Sequence, residues 1–260
     1  MNTHIVAGID IGSLSAEAVI LGGNRVLGYS VINTGADSRR AAEESLALAL
    51  KRAECSPGDI AFTVATGYGR VNVPFADLQV TEITCHARGA VFLLPGTRTV
   101  IDIGGQDSKV IRLDDMGTVV DFAMNDKCAA GTGRFLEVMA RALETRVDAL
   151  SDLAASARRA APISSMCTVF AESEVVSLVG QGTPREEIVR GLLQSVAERT
   201  VNMVHRVGLA REVAMTGGVA KNRGVVRAIA ERLGVPVNVP PEPQIVGALG
   251  AALIARSRAR

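Results

Sequence analysis

The sequence predicts a two-lobed α/β protein in which two similar halves face each other across a cleft. Three observations lead there. Ile9-Asp10-Ile11-Gly12 recurs as Ile101-Asp102-Ile103-Gly104, each copy closes an apolar strand, and each is followed by a pattern that reads as a β-hairpin.

Taken in order, Val6 to Ser13 is an apolar strand broken by one acid and ended by Gly-Ser. Ala18 to Leu21, the turn Gly22-Gly23-Asn24 and Val26 to Val31 form the first hairpin. Ser38 to Ala53 is alanine-rich with charges, a helix that stops before Pro57-Gly58, and Ile60 to Gly67 returns to strand. Thr81 to Leu94 is helical up to Pro95-Gly96. In the second half, Lys109 to Leu113, a turn at Asp115-Met116-Gly117 and Thr118 to Phe122 form the matching hairpin. Helices follow over 134–144, 169–180 and 184–206, the last opened by Pro184 behind Thr183 as N-cap, with a polar stretch running to Ala161. Val213 to Asn222 reads as strand, Gly-Gly turn and helix start. Val235 to Val239 is a strand, and Gln244 to Ala255 a final apolar helix.

At 260 residues and 48% hydrophobic content the chain can bury a sizeable core. A net charge of +1 gives no bias toward nucleic acid or an anionic membrane, and no apolar run reaches the roughly 18 residues of a membrane span. Nothing near Met1 reads as a signal peptide, so a cytoplasmic protein is expected. There, Cys55, Cys85, Cys128 and Cys167 read as core, reactive or metal-binding residues and not as a disulfide framework. Cys85-His86 lies within a predicted helix and reads as packed interior; His4 and His205 have no ligand constellation, and none of these receives a role.

The paired turns carry the chemistry. Asp10 and Asp102 are placed to face each other across the cleft, to hold Mg²⁺ through water and to position a nucleophilic water. The backbone N–H groups of the two turns, Gly12-Ser13-Leu14-Ser15-Ala16 and Gly104-Gly105-Gln106, bind phosphates. Thr216-Gly217-Gly218 supplies a nucleoside contact at another strand end. No P-loop and no strand-borne Gly-x-Gly-x-x-Gly is present. A separate feature is Lys127-Cys128-Ala129-Ala130-Gly131-Thr132-Gly133-Arg134-Phe135, a cysteine beside a glycine turn whose N–H groups and following helix suit an anion or thiolate. Ser164-Ser165-Met166-Cys167-Thr168 sets a second cysteine at a helix mouth. Two thiolates are half an iron–sulfur ligand set.

The phosphate turns and the Gly-Gly resemble the acetate kinase, sugar kinase, Hsp70 and actin superfamily. Within it, the stretches Asn125 to Phe135 and Cys167 to Glu174 closely resemble the activator (component A) of 2-hydroxyacyl-CoA dehydratases and the ATP-binding subunits of benzoyl-CoA reductase. The resemblance covers nearly the whole chain. It implies a duplicated actin-like, ribonuclease H-like ATPase fold, with lobes over 1–97 and 98–260 and a final helix that packs back on the first lobe. It implies ATP and ADP bound at the phosphate turns and at Ser13, Gln106, Gly217, Gly218, Asn222 and Gln244. It also implies a homodimer sharing one [4Fe-4S] cluster held by Cys128 and Cys167 of each subunit. One electron would pass from a ferredoxin or flavodoxin to a 2-hydroxyacyl-CoA dehydratase or benzoyl-CoA reductase-type partner, with ATP as a conformational lever. The alternatives of the same fold are an ATP-dependent small-molecule kinase with Asp102 as base, and a non-catalytic ATP-binding regulator. The first turn departs from the family: relatives usually read Asp-x-Gly-Ser-Thr-x-x-Lys where this chain has Asp10-Ile11-Gly12-Ser13-Leu14-Ser15-Ala16-Glu17, so that Ser15 would replace the lost threonine hydroxyl and Glu17 stands where the lysine would be. At ~4 Å and an effective dielectric near 20, a unit charge pair amounts to about 4 kcal/mol. Reversing that charge weakens phosphate binding unless Glu17 turns away.

Overall fold

The computed structural model describes residues 4–164 and 167–259. Two five-stranded sheets form its frame. In the first, β1 (Ile5–Ile11), β2 (Ser15–Gly22) and β3 (Arg25–Asn33) run as an antiparallel meander. β4 (Ile60–Thr66) then pairs parallel to β1, and β5 (Leu78–Gln79) forms the edge, giving the order β3-β2-β1-β4-β5. In the second sheet, β6 (Thr99–Ile103), β7 (Ser108–Leu113) and β8 (Val119–Asn125) repeat the meander. β9 (Val213–Thr216) lies parallel to β6 and β10 (Val237–Asn238) lies outside it, in the order β10-β9-β6-β7-β8. The duplication extends to the register: Asp10 pairs with Glu17 and Thr66, Asp102 with Lys109 and Thr216.

Strand alternation determines what each face buries. On β1, Ala7, Ile9 and Ile11 join Ala41, Ala42, Ala49 and Leu50 of α1 (Ser38–Ala53), while Val6 faces the opposite layer. Asp37 caps α1, its carboxylate accepting from the backbone N–H of Arg40 at 3.0 Å. The second sheet buries Ile101, Ile103 and Val110 under α3 (Gly133–Ala142), α4 (Leu150–Ser156), α5 (Thr168–Gly180), the long α6 (Arg185–Val207) and α7 (Arg223–Leu233). Between the sheets lie α2 (Glu82–Leu93) and α8 (Val246–Arg258). Ala87 and Ala90 of α2 pack on Val100, Ile111 and Leu113, and Ala248, Leu249 and Ala252 of α8 pack on the first sheet.

Three local expectations are corrected. Thr183 does not cap α6: Pro184 holds that position without a side-chain bond, and the Thr183 N–H is spent on the carbonyl of Leu178. The polar stretch before Ala161 contains α4, whose Leu150 and Ala154 reach the core. The strand expected over 235–239 shortens to Val237–Asn238.

Candidate active site

The lobes enclose a cavity of about 1190 Å³ whose floor is built from the duplicated strand ends. Each turn is closed in the same way, Gly12 N–H donating to the carbonyl of Ser15 at 2.9 Å and Gly104 N–H to that of Asp107 at 3.0 Å. The neighbouring parallel strand of each half ends in Thr-Gly, Thr66-Gly67 and Thr216-Gly217, and both glycines have φ +83°. A Cβ at Gly67 would stand 2.3 Å from Asp10 Oδ1, and one at Gly217 2.7 Å from Asp102 Oδ1. Only glycine both adopts that backbone and leaves room for the carboxylate.

Asp10 and Asp102 do not meet across open space. His86 of α2 stands between them, buried at the cavity wall, with Nε2 3.7 Å from Asp10 Oδ2 and Nδ1 3.4 Å from Asp102 Oδ1. Its Nδ1 also lies 3.1 Å from Thr216 Oγ1, which donates to Asp102 Oδ1 at 2.9 Å. Burial by itself would lower the imidazole's pKa, but Asp102 and Asp10 outweigh it and raise the pKa, favouring the cation. Burial would likewise raise Asp102, but His86, Lys109 and the Thr216 hydroxyl hold it below the usual carboxylate range. His86, read as interior packing with no role, is therefore at the centre of the site, and nothing in its neighbouring residues signals these partners.

Lys109 was also missed. Its Nζ donates to Asp107 Oδ2 at 2.7 Å and Asp102 Oδ2 at 3.3 Å, deep in the second turn. In the duplicated register Lys109 is the counterpart of Glu17. Glu17 does not turn away: it is buried and lines the cleft, and its pKa is raised well above the ordinary value, first by burial and then by the charge on Asp10. The folded chain thus holds a proton on Glu17 that the unfolded chain releases above about pH 4. Stability is lost as pH rises from there through the folded pKa. Glu17→Gln should therefore gain thermal stability relative to the parent as pH rises, with the difference closing below about pH 4 in melting curves.

Of the expected nucleotide contacts, Gly12, Ser13, Leu14, Ser15, Gly104, Gly105, Gln106, Gly217, Gly218, Asn222 and Gln244 all line the cavity. Ala16 does not: it faces the core with Ile9 and Ala41, because Ser15 and Glu17 take the cleft face of β2 and the residue between them points the other way. Asn222 caps α7 through Oδ1, accepting from Val225 N–H at 3.1 Å, while its buried Nδ2 has no acceptor among the described residues. A polar ligand in the cleft would satisfy it. The far wall adds Glu137, Arg146, Asp148, Ser151 and Arg223, none of which was anticipated. Among the described residues no group of three or more His, Cys, Asp or Glu side chains is arranged to hold a metal ion directly. The two carboxylates suit a Mg²⁺ bound through water and phosphate oxygens.

The Cys128 turn differs from its expected form. Cys128 is half-buried four residues ahead of Thr132, the N-cap of α3, and not at the helix mouth. The Gly133 N–H is not free for an anion: it donates to the carbonyl of Gly104 at 2.9 Å, and the neighbouring Arg134 N–H donates to that of Gly105 at 2.8 Å. The second phosphate turn and the start of α3 are thereby bonded main chain to main chain. Asn125 Nδ2 ties the turn down through the Cys128 carbonyl at 2.9 Å, and Arg199 Nη2 lies 3.9 Å from the Cys128 sulfur. Cys167 is the exposed N-cap of α5; Ser165 and Met166 of its expected turn lie outside the described residues.

Comparison with known proteins agrees with this architecture. The chain is 54% identical over 254 residues to the activator of lactoyl-CoA dehydratase from Anaerotignum propionicum, covering 97% of this chain and 98% of that one. Its backbone superimposes with a TM-score of 0.94 on the crystal structure of component A of the Acidaminococcus fermentans (R)-2-hydroxyglutaryl-CoA dehydratase, at 47% identity and 98% coverage of both chains. With the activator of the Clostridium difficile 2-hydroxyisocaproyl-CoA dehydratase, solved with bound ADPNP, the TM-score is 0.93 at 46% identity, covering 98% of this chain and 95% of that one. The fold is the two-lobe, actin-like ATPase fold. The family model of these ATPases matches residues 7–255, and the chain belongs to the BadF/BadG/BcrA/BcrD ATPase family.

Proposed function

We propose that this chain hydrolyses ATP to drive one-electron reduction of an iron–sulfur acyl-CoA dehydratase or reductase. The observation that carries the proposal is the pair of hydrogen bonds from Gly133 and Arg134 to the carbonyls of Gly104 and Gly105. A phosphate that draws the N–H groups of the second turn toward it pulls on the same peptides that hold α3 and, through it, Cys128.

The donor set fits a shared cluster. One chain offers Cys128 and Cys167, and a symmetric second copy brings the total to the four thiolates of a [4Fe-4S] centre. Behind Cys167, α5 leaves Val169, Phe170, Val176 and Val179 exposed, an apolar face that a second copy would cover. Such a centre, when bound, supplies a single low-potential electron. Within the chain, Arg199 and Asn125 hold the Cys128 turn; Ser13, Gln106, Asn222 and Gln244 would orient the nucleotide, and Asp10 and Asp102 would hold a hydrated Mg²⁺ and the attacking water. Making a donor 200 mV stronger requires about 5 kcal/mol at 59 mV per tenfold change, within what differential nucleotide binding can provide. The donor of that electron would be a ferredoxin or flavodoxin.

Anaerobic purification tests the proposal. The expected product is a brown homodimer with about four irons per two chains, by the two-cysteine arithmetic above; Cys128→Ser should lose the iron and still bind ADPNP. An iron-free monomer that transfers phosphate to members of a sugar panel would replace this reading with the small-molecule kinase.

A further inference from the structure

The ring of His86 touches a catalytic carboxylate of each lobe, and nothing in the reaction outlined above uses it. Its two nitrogens point in opposite directions, Nε2 to Asp10 at the end of β1 and Nδ1 to Asp102 and Thr216 on β6 and β9. α2 also packs on the second sheet and against α8, so the ring sits in the helical layer between the two sheets. Space for the contact is made from outside the active site: a Cβ at Gly247 of α8 would stand 1.9 Å from Asp10 Oδ2 and 2.8 Å from His86 Nε2. The chain gives up a side chain on α8 to let imidazole and carboxylate approach.

We propose that His86 is a positioning residue for ATP hydrolysis: by bridging Asp10 and Asp102 it sets the separation of the two carboxylates that hold the attacking water and the hydrated metal. Without it, two buried acids face each other with Lys109 paired to only one of them. They separate, or one takes up a proton, and the water loses its place between them. This inference rests on the ATPase reading of the cleft. Since the ring touches the carboxylates and not the nucleotide turns, its loss acts on turnover and not on nucleotide affinity.

The experiment uses the full-length protein and three variants, His86→Gly, His86→Asn and His86→Gln, assayed for kcat and KM in ATP hydrolysis, for ADPNP affinity and for melting temperature. His86→Gly should lower kcat by about 100-fold or more with KM and ADPNP affinity within about threefold, the scale on which misplacing a reacting group acts. Free imidazole should restore part of the rate by filling the vacated space. His86→Asn and His86→Gln, which keep one donor nitrogen in place of two, should fall between. A His86→Gly enzyme with parental kcat overturns the inference. So does a loss of rate that follows melting temperature across the three variants and ignores imidazole, since that is the signature of mere packing. A parental protein that binds ADPNP but hydrolyses no ATP overturns the ATPase reading itself and takes the inference with it.

Discussion

Asp102→Asn should leave a protein that binds nucleotide and turns it over about 10²–10⁴ times more slowly, the usual scale for removing a group that activates the attacking water. The argument begins with what surrounds the carboxylate. Lys109 Nζ at 3.3 Å, His86 Nδ1 at 3.4 Å and Thr216 Oγ1 at 2.9 Å all approach it within a buried layer. An amide of the same shape keeps the packing but presents a neutral oxygen and two hydrogens to two cations. The variant therefore loses stability as well, by about 3–5 kcal/mol if the charges cannot rearrange. It loses less if Lys109 shifts wholly to Asp107, already 2.7 Å away. The Asp102 carboxyl is held below the usual carboxylate range in the fold, so its stabilising contribution is present above that range and is lost as pH falls through the folded pKa. Asp102→Asn should accordingly flatten the acid limb of the melting-temperature profile while lowering it at neutral pH. Single-turnover hydrolysis and ADPNP titration separate the effect on rate from that on binding.

The same neighbourhood shows what the sequence could and could not reveal. The two Ile-Asp-Ile-Gly copies predicted duplicated halves, and the structure carries the repeat further than was read. Thr66-Gly67 and Thr216-Gly217 are a second matched pair, and Glu17 and Lys109 a third. The Glu17–Lys109 pair was legible, since each lies seven residues after the aspartate of its motif; the Thr-Gly pair was not, since it follows Asp10 by 56 residues and Asp102 by 114. The side-chain direction at Ala16 was legible only in part, because it follows from a strand that begins at Ser15, whereas the sequence pattern starts that strand at Ala18. His86 was not. It shares its helix with other polar residues, Glu82, Thr84 and Arg88, and one of its partners is 130 positions away, so only the stacking of α2 between the sheets reveals the contact. The Cys128 turn failed for a related reason. Glycines at 131 and 133 announce free N–H groups, but which acceptor reaches Gly133 and Arg134 is settled by the second phosphate turn, a tertiary neighbour. Local pattern identifies groups that need a partner, and the fold chooses the partner.

Gly250→Ala should be the most damaging single methyl in the chain. α8 reaches the middle of the molecule by touching backbone where helices ordinarily touch side chains. A Cβ at Gly8 would meet the Ala248 carbonyl oxygen at 2.0 Å, one at Gly89 the Val246 oxygen at 2.1 Å, and one at Gly250 the Cys85 oxygen at 1.8 Å, with the Cys85 carbon at 2.5 Å. None of these obstacles is the flexible end of a side chain, so relief requires moving a helix. Overpacking a core that can adjust usually costs about 1–3 kcal/mol. Here the obstacle is main chain in the layer between both sheets, and the loss should reach or exceed the upper end, about 3 kcal/mol. For a chain of this size that lowers the melting temperature by about 6–12 °C. Catalysis should suffer as well, because Cys85 precedes His86 and a shift of α2 at that carbonyl carries the ring away from Asp10 and Asp102. Gly180→Ala is the control: it ends α5, none of the described residues comes within 4 Å of its added carbon beyond its own helix and chain neighbours, and its backbone needs no positive φ. Its melting temperature and hydrolysis rate should match the parent, and equal losses in the two variants would refute the close-packed α2–α8 contact as the cause.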